Sequence, residues 1–307
     1  MSLVPLNNST TLYLLFLEHV LMRTIKCIGV PEHFNLPWLL AIGEGDFAAK
    51  GIKVIWEDYP GGTGSMSRAL YKGDADLALL LTEGALTSIS TGNPCKVHSF
   101  FVDSPLCWGV FAGAKSAFEA GGNFEGATFA ISRFYSGSHL MAFHYCDVNG
   151  WEIKKDQFNI VGGLTGARAS LASKPDQLFM WEKFITKPLV DEGEFKLVDE
   201  CAAPWPSFSV VVRDAFLKEN KELVDDVMEI VRAKAAHFHQ REEAAEVIAW
   251  RYGLKLGDAE EWLSQVKWSK SADVNPDILT NVSEVLTKLG ILNSALSTED
   301  VEGIMAQ

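Results

Sequence analysis

Four short stretches of this chain set glycine, hydroxyl or acidic side chains directly ahead of an apolar run with helical spacing: Glu32–Asn35, Gly61–Ser65, Thr82–Glu83 and Ser136–His139, with Gly163–Gly166 as a fifth of the same kind. Glycine lets a backbone approach a ligand, serine and threonine supply hydroxyls, and a helix N-terminus offers free N–H donors with a partial positive charge. Any one of these stretches alone is no more than a capped helix start. Several facing one cleft would hold a carboxylate, sulfonate, phosphate or other acceptor-rich group. Aromatic side chains sit among them: Phe34, Trp38, Phe134, Tyr135, Trp181 and Trp205. Taken singly each is more often core, but together they can wall a pocket. Glu32, His33, Glu83, Arg133, His139, Arg168 and Glu182 are the polar contacts on offer, and their mixed signs leave the ligand's charge open. The expected ligand-binding set is Glu32, His33, Phe34, Trp38, Gly61, Thr63, Gly64, Thr82, Glu83, Arg133, Ser136, Gly137, Ser138, His139, Trp181, Glu182 and Trp205.

Other chemistries find little footing. Gly61–Gly64 is followed by no Gly-Lys-Ser/Thr and is not a phosphate loop of that type. Gly162–Gly166 lacks the spacing and the acidic strand end of a dinucleotide site. His237 and His239 are two apart on a helix and diverge, so they do not chelate a metal. No Ser/His/Asp or Cys/His triad is legible. The expectation is no catalytic residue, no metal and no cofactor.

The elements that must position these loops alternate strand, turn, helix. Thr24–Val30 is an apolar run of buried-strand type. Leu36–Lys50 reads as a helix with Pro37 in its first turn and Gly51 as its stop. Ile52–Trp56, Ala75–Leu81 and Val97–Val102 continue the strands, with helices after Gly61 and after Thr82, the latter residue placed to cap. A second series follows: strands Trp108–Ala112, Ala127–Ile131, Phe158–Val161, Leu178–Trp181, Phe195–Val198 and Phe208–Val212, with helices His139–Asp147 and Ala167–Ala172. Beyond Asp214 the pattern is helical, with Asn275-Pro276-Asp277 as a strong helix start. The fold class is therefore α/β, a mostly parallel sheet in each of two lobes with a helical C-terminal segment, and ligands of such sheets bind at the strands' carboxyl ends. The expected lobes are 23–103 plus 213–307, and 104–212.

The bulk numbers agree with a globular chain. It has 307 residues, 48% hydrophobic and 22% charged, with a net charge of −13. An acidic surface repels phosphate backbones and anionic lipid, so nucleic acid and membranes are poor partners. Cys27, Cys95, Cys107, Cys146 and Cys201 form no zinc-type or CxxC spacing, and as an odd set mostly in apolar runs they read as free thiols of a reducing compartment. The apolar run Leu12–Leu21 has no basic lead, is interrupted by Glu18 and His19, and precedes no small-residue cleavage site. Residues 1–22 are read as a lead or extra helix rather than a secretion signal, Met22 as an alternative start, and the protein as cytoplasmic.

The run Trp38–Val54 (WLLAIGEGDFAAKGIKV), then Gly61–Gly64, Ala69-Leu70, Gly73–Ala78 (GDADLA) and the later Trp181-Glu182 resemble the type II periplasmic-binding-protein superfamily. The resemblance covers roughly residues 24–240. Within that superfamily it is similar to binding proteins for sulfonates, taurine, nitrate and thiamine-pyrimidine precursors, in an intracellular eukaryotic branch. It implies two lobes joined by crossings, a hinge that closes on ligand, and a cleft between the lobes. A fungal enzyme of thiamine-pyrimidine synthesis shares this fold and carries a cysteine-rich iron-binding stretch. The matching region here, Glu200–Phe208, has only Cys201, which argues against that chemistry. Three readings stand: a binding protein for a small polar or anionic metabolite, pyrimidine-related in the sense of the resemblance, with no transporter partner expected; an enzyme of vitamin or cofactor precursor synthesis using His33, Glu32, Glu83 or His139 as acid or base; and a protein whose cleft serves a partner protein.

Overall fold

The computed structural model describes residues 22–306; the expected N-terminal lead or extra helix, Met22 apart, lies outside the described residues. The first lobe opens with strands β1 (Arg23–Gly29), β2 (Ile52–Asp58), β3 (Leu77–Leu81) and β4 (Cys95–Val102). The second holds β5 (Cys107–Gly113), β6 (Thr128–Ile131), β7 (Phe158–Ile160), β8 (Gln177–Glu182) and β9 (Phe195–Ala202). The chain then returns to the first sheet as β10 (Phe208–Arg213). The two sheet orders are β2-β1-β3-β10-β4 and β7-β6-β8-β5-β9. In each, the strand that has just crossed from the other lobe lies antiparallel between its neighbours, as β10 does beside β3 and β4 and β5 beside β8 and β9. The remaining pairings, β1 with β2 and β3, and β6 with β7 and β8, are parallel. The expected boundary at residue 212 is corrected by this topology. β10 pairs wholly within the first sheet, so the return crossing lies before Phe208, over the segment containing Ala203–Ser207.

Helices α1 (Leu36–Gly43), α2 (Gly62–Lys72) and α3 (Thr82–Ser90) belong to the first lobe, and α4 (Gly137–Val148), α5 (Leu164–Ser173) and α6 (Lys183–Asp191) to the second. The helical tail comprises α7 (Asp214–His239), α8 (Ala244–Tyr252), α9 (Leu256–Gln265), α10 (Pro276–Lys288) and α11 (Thr298–Ile304). Local chemistry accounts for some of the starts. Ser136 is extended and its hydroxyl accepts from the His139 N–H, capping α4. Asn275 accepts from the Asp277 N–H and Pro276 occupies the first position of α10. The helix expected over Leu36–Lys50 is broken: α1 ends at Gly43, Gly45 takes φ +81°, and only a short turn of helix follows at Ala48–Lys50. Thr82 does not cap α3; it lies inside the helix and its hydroxyl bonds Ser209 on β10 at 2.9 Å.

The lobes meet along a hydrogen-bonded hinge. Ala203 N–H donates to the Leu106 carbonyl at 3.1 Å, and Ser207 N–H to the Ser104 carbonyl at 3.1 Å, so the two crossing segments run side by side. A second link is electrostatic. On α6, Lys183 pairs with Glu261 at 2.8 Å, Lys187 with Asp258 at 3.4 Å, and Asp191 with Lys255 at 3.0 Å. Positions four apart on α6 thus meet positions three apart on and just before α9 in antiparallel order, an ion ladder tying the second lobe to the helical tail.

Candidate functional site

The carboxyl ends of the parallel strands in both lobes converge on one cleft. Its central chamber, about 550 Å³ with its open mouth included, is walled by apolar and aromatic groups, Trp108, Trp181 and Phe208 among them. The polar lining comes from Glu32 after β1, Gly61–Thr63 at the start of α2, Ser132 and Arg133 after β6, Ser136–Ser138 at the start of α4, and Glu182 at the end of β8. Of the expected set, the structure therefore brings Glu32, Gly61, Thr63, Arg133, Ser136, Gly137, Ser138, Trp181 and Glu182 around one space. Gly64 and Glu83 line an adjoining chamber on the Arg133 side, together with Phe134 and Tyr135. A third chamber, reached past Glu32 and Trp181, is lined by Gly162–Gly166.

Other expected contacts are corrected. Trp38 is fully buried in the first lobe's core against Phe47, Trp56 and Phe101. Phe34 packs on Phe208 and Trp262 behind the cleft. Thr82 is buried on Ser209. Trp205 is buried, and its indole N–H donates to Glu83 at 2.8 Å from behind. His139 faces Phe134, Phe143 and Phe158, and its Nδ1 accepts from the Tyr135 N–H at 3.1 Å, which holds Tyr135 at φ +63°. Arg168 pairs with Glu194 on the outer surface of the second lobe. Most of these side chains turn into a core or onto a buried neighbour, and Arg168 turns out to the surface. Trp108, Ser132, Leu106 and Phe208 were not anticipated. Trp108 and Phe208 read as ordinary strand sequence, and Leu106 and Ser132 as connecting residues, because their cleft exposure is created by the pairing of the lobes.

Two glycines set the closeness of the lobes. A Cβ on Gly64 would overlap the Arg133 guanidinium of the other lobe. One on Gly137 would stand 2.9 Å from Trp108 and 3.0 Å from Leu81, the latter on the first lobe.

The charges are unequal along the cleft. Arg133 is half-buried and has no carboxylate partner among the described residues; burial, and secondarily Arg68, hold its pKa below the usual value. Burial pushes Glu32 up to about 7. Glu182 is raised well above the carboxylate range by burial and then by Glu32, even though its Oε2 accepts from the Ile185 N–H at 2.6 Å. Burial likewise raises Glu83 to about 7. His33 is driven down to about 3 by burial, between Tyr252 and Trp262; its two ring nitrogens have no hydrogen-bond partner, and Nε2 stops 3.6 Å from Glu182. Burial thus pushes both members of this contact toward neutrality, an imidazole against a carboxylic acid rather than an ion pair. Among the described residues no group of three or more His, Cys, Asp or Glu side chains is placed to hold a metal ion, and no helix is long and apolar enough to cross a membrane.

Residues 108–201 match the model of the Ca3427-like PBP family. No curated protein matches by sequence. Among solved structures, the Candida albicans CA3427 gene product, described as having the generic periplasmic binding protein fold, superposes with a TM-score of 0.84 at 24% identity, over 93% of this chain and 96% of that one. The alkanesulfonate-binding protein SsuA from Xanthomonas axonopodis pv. citri, bound to MOPS, gives 0.76 at 13% identity over 92% and 98%. The periplasmic nitrate-binding protein NrtA from Synechocystis PCC 6803 gives 0.68 at 13% over 92% and 86%. With its two crossed-over sheets, its hinge and its cleft, the chain has the fold of the type II periplasmic-binding-protein superfamily.

Proposed function

We propose that this chain binds a small ligand with an anionic or otherwise acceptor-rich head in the interlobe cleft and that the lobes close over it. The observation that carries this reading is Arg133. It is a half-buried guanidinium with no carboxylate partner among the described residues, lying between the starts of α2 and α4, where Thr63, Ser136 and Ser138 add hydroxyls. A desolvated cation with an unused donor fork beside two helix N-termini favours an oxyanion. The superposition on SsuA and NrtA, whose descriptions name a sulfonate and nitrate, supports the same class. A thiamine-pyrimidine-related compound remains within it where such a compound carries an acidic group.

An acid–base enzyme finds less support, because His33 is sealed behind the cleft and His139 already accepts from a backbone N–H. The five cysteines are free thiols, which supports work in a reducing compartment such as the cytoplasm rather than delivery to a membrane transporter. The test is a thermal-shift screen of nitrate, alkanesulfonates, small carboxylates, phosphates and thiamine precursors, followed by titration of any hit. Arg133→Gln should weaken the hit by about 10- to 100-fold, the range for a lost charge-assisted pair. A hit whose affinity is untouched by Arg133→Gln would remove the anion site.

A further inference from the structure

The cleft has a second pole. The central chamber shares Glu32, Val30, Gly62 and Trp181 with the chamber on one side, and Thr63, Leu81, Arg133, Ser136 and Gly137 with the chamber on the other. Glu32 therefore marks one end of the space and Arg133 the other, with Glu182 on the central chamber between them; the Glu83 carboxyl, on the Arg133 side, is already held by the Trp205 indole N–H. The two carboxyls come from opposite lobes, Glu32 from the loop after β1 and Glu182 from the end of β8. We infer that the ligand carries, besides its anionic head, a protonated or N–H-rich group (an amine, amidine or aminoheterocycle) seated between Glu32 and Glu182. This rests on the reading of the cleft as a small-ligand site.

Among the described residues, the surroundings leave that place without a cation of the protein's own. Lys183, next in sequence to Glu182, is engaged with Glu200 and Glu261 at 2.8 Å each. Arg251, Tyr252 and Asp58 lie with Glu32 around a separate small cavity behind the loop, and His33 is held neutral by burial. Burial is the sole cause that raises Glu32, with neither a hydrogen bond nor a positive charge drawing its carboxyl back down. Two carboxyls that line one chamber, near enough for Glu32 to push Glu182 upward, repel once both ionise. A donor or cation between them removes the repulsion and joins one lobe to the other, so ligand binding would favour the closed arrangement. Nitrate or a plain alkanesulfonate would satisfy only the Arg133 end.

The experiment is calorimetric titration of the full chain with matched acids at pH 7.5: 2-aminoethylphosphonate against ethylphosphonate, β-alanine against propionate, and 4-aminopyrimidine-5-carboxylate against pyrimidine-5-carboxylate. The nitrogen-bearing member of at least one pair should bind about tenfold tighter or more, as expected for a charge-assisted contact. Glu32→Gln should reduce that preference to within about twofold, and Arg133→Gln should weaken both members alike. Glu182 also caps α6, so Glu32→Gln, whose side chain has no such duty, is the decisive variant. If the amine-free members bind as tightly, or the preference survives Glu32→Gln, the second pole is wrong while the anion site stands. If no member of any pair binds, the small-acid reading of the cleft falls together with it.

Discussion

A carboxyl group kept out of water is stabilised in its neutral form, and Glu83 shows this with the fewest complications. It is buried, burial raises its pKa to about 7 from an ordinary value near 4.5, and its own backbone N–H and the Trp205 indole, the latter at 2.8 Å, draw its carboxyl down only in part. Because the folded value lies above the unfolded one, the associated stability is complete below about pH 4.5 and is lost as pH rises toward and through 7. Glu83→Gln keeps an acceptor for Trp205 and cannot ionise. Urea unfolding should therefore show the variant gaining on the parent between pH 4.5 and 8, by up to about 3 kcal/mol. Glu32 and Glu182 add slopes of the same sign and His33 one of the opposite sign, but all three are present in both proteins and cancel in the difference. A difference independent of pH would mean that Glu83 ionises freely in the fold. The same scale shows what sequence reveals of a site. Arg133 and Thr63 were identifiable because a charge or hydroxyl beside a glycine-rich helix start has few purely structural uses, and Glu32 because it follows directly on the carboxyl end of an apolar strand. Trp38 and Thr82 were misassigned because which way a side chain turns from a helix start depends on the sheet beneath it, which no local spacing encodes.

At the scale of elements, the ion ladder between α6 and α9 makes a definite claim. Lys183 is its most sheltered member, with side-chain exposure of 10%, and it contacts two glutamates, Glu200 and Glu261. Lys183→Glu would set three carboxylates together in a sheltered place, a larger effect than loss of an exposed pair. Amide exchange across α9 should quicken by about tenfold or more, with Glu261→Lys in the same chain restoring much of the protection. Unchanged exchange, or no rescue by the double variant, would show that apolar packing alone holds α9. The helices of this ladder were only partly visible in sequence: a reading of local periodicity finds the helix over Ala259–Val266 but not its partner. Strand β9 was seen only to Val198, because it is an edge strand whose half-buried Asp199 and exposed Glu200 mask the strand pattern. The sheet to which β10 belongs was likewise out of reach, since pairing across more than a hundred residues is a property of the whole chain.

At the scale of the whole molecule, repetition of one sheet order in both lobes, each completed by a strand from the other's side, makes the crossings the natural hinge. The lobes can then close only as far as their facing surfaces allow, and Gly137 is a point where that limit is set. It stands at the start of α4 with ordinary backbone angles for any residue, so a side chain there is excluded by space and not by strain. A Cβ would come within 3.0 Å of Leu81 across the cleft and 2.9 Å of Trp108 in its own lobe, and valine's two further carbons would deepen both contacts. Trp108 is fixed in β5 between two paired strands, so the easier response is for the lobes to part. Gly137→Val should raise the radius of gyration measured by small-angle scattering by on the order of 1 Å. It should weaken ligand binding by about tenfold or more, and alter urea-unfolding stability by no more than about 1 kcal/mol, because the wedge sits at an interface that opens rather than in a lobe's core. Gly43→Ala, on α1 with no neighbour within 4 Å of the added carbon, is the control that should change none of these quantities. If Gly137→Val left both the radius and the affinity as they were, the contact of Gly137 with Leu81 would not limit closure and the hinge would have to be sought elsewhere than in the two crossing segments.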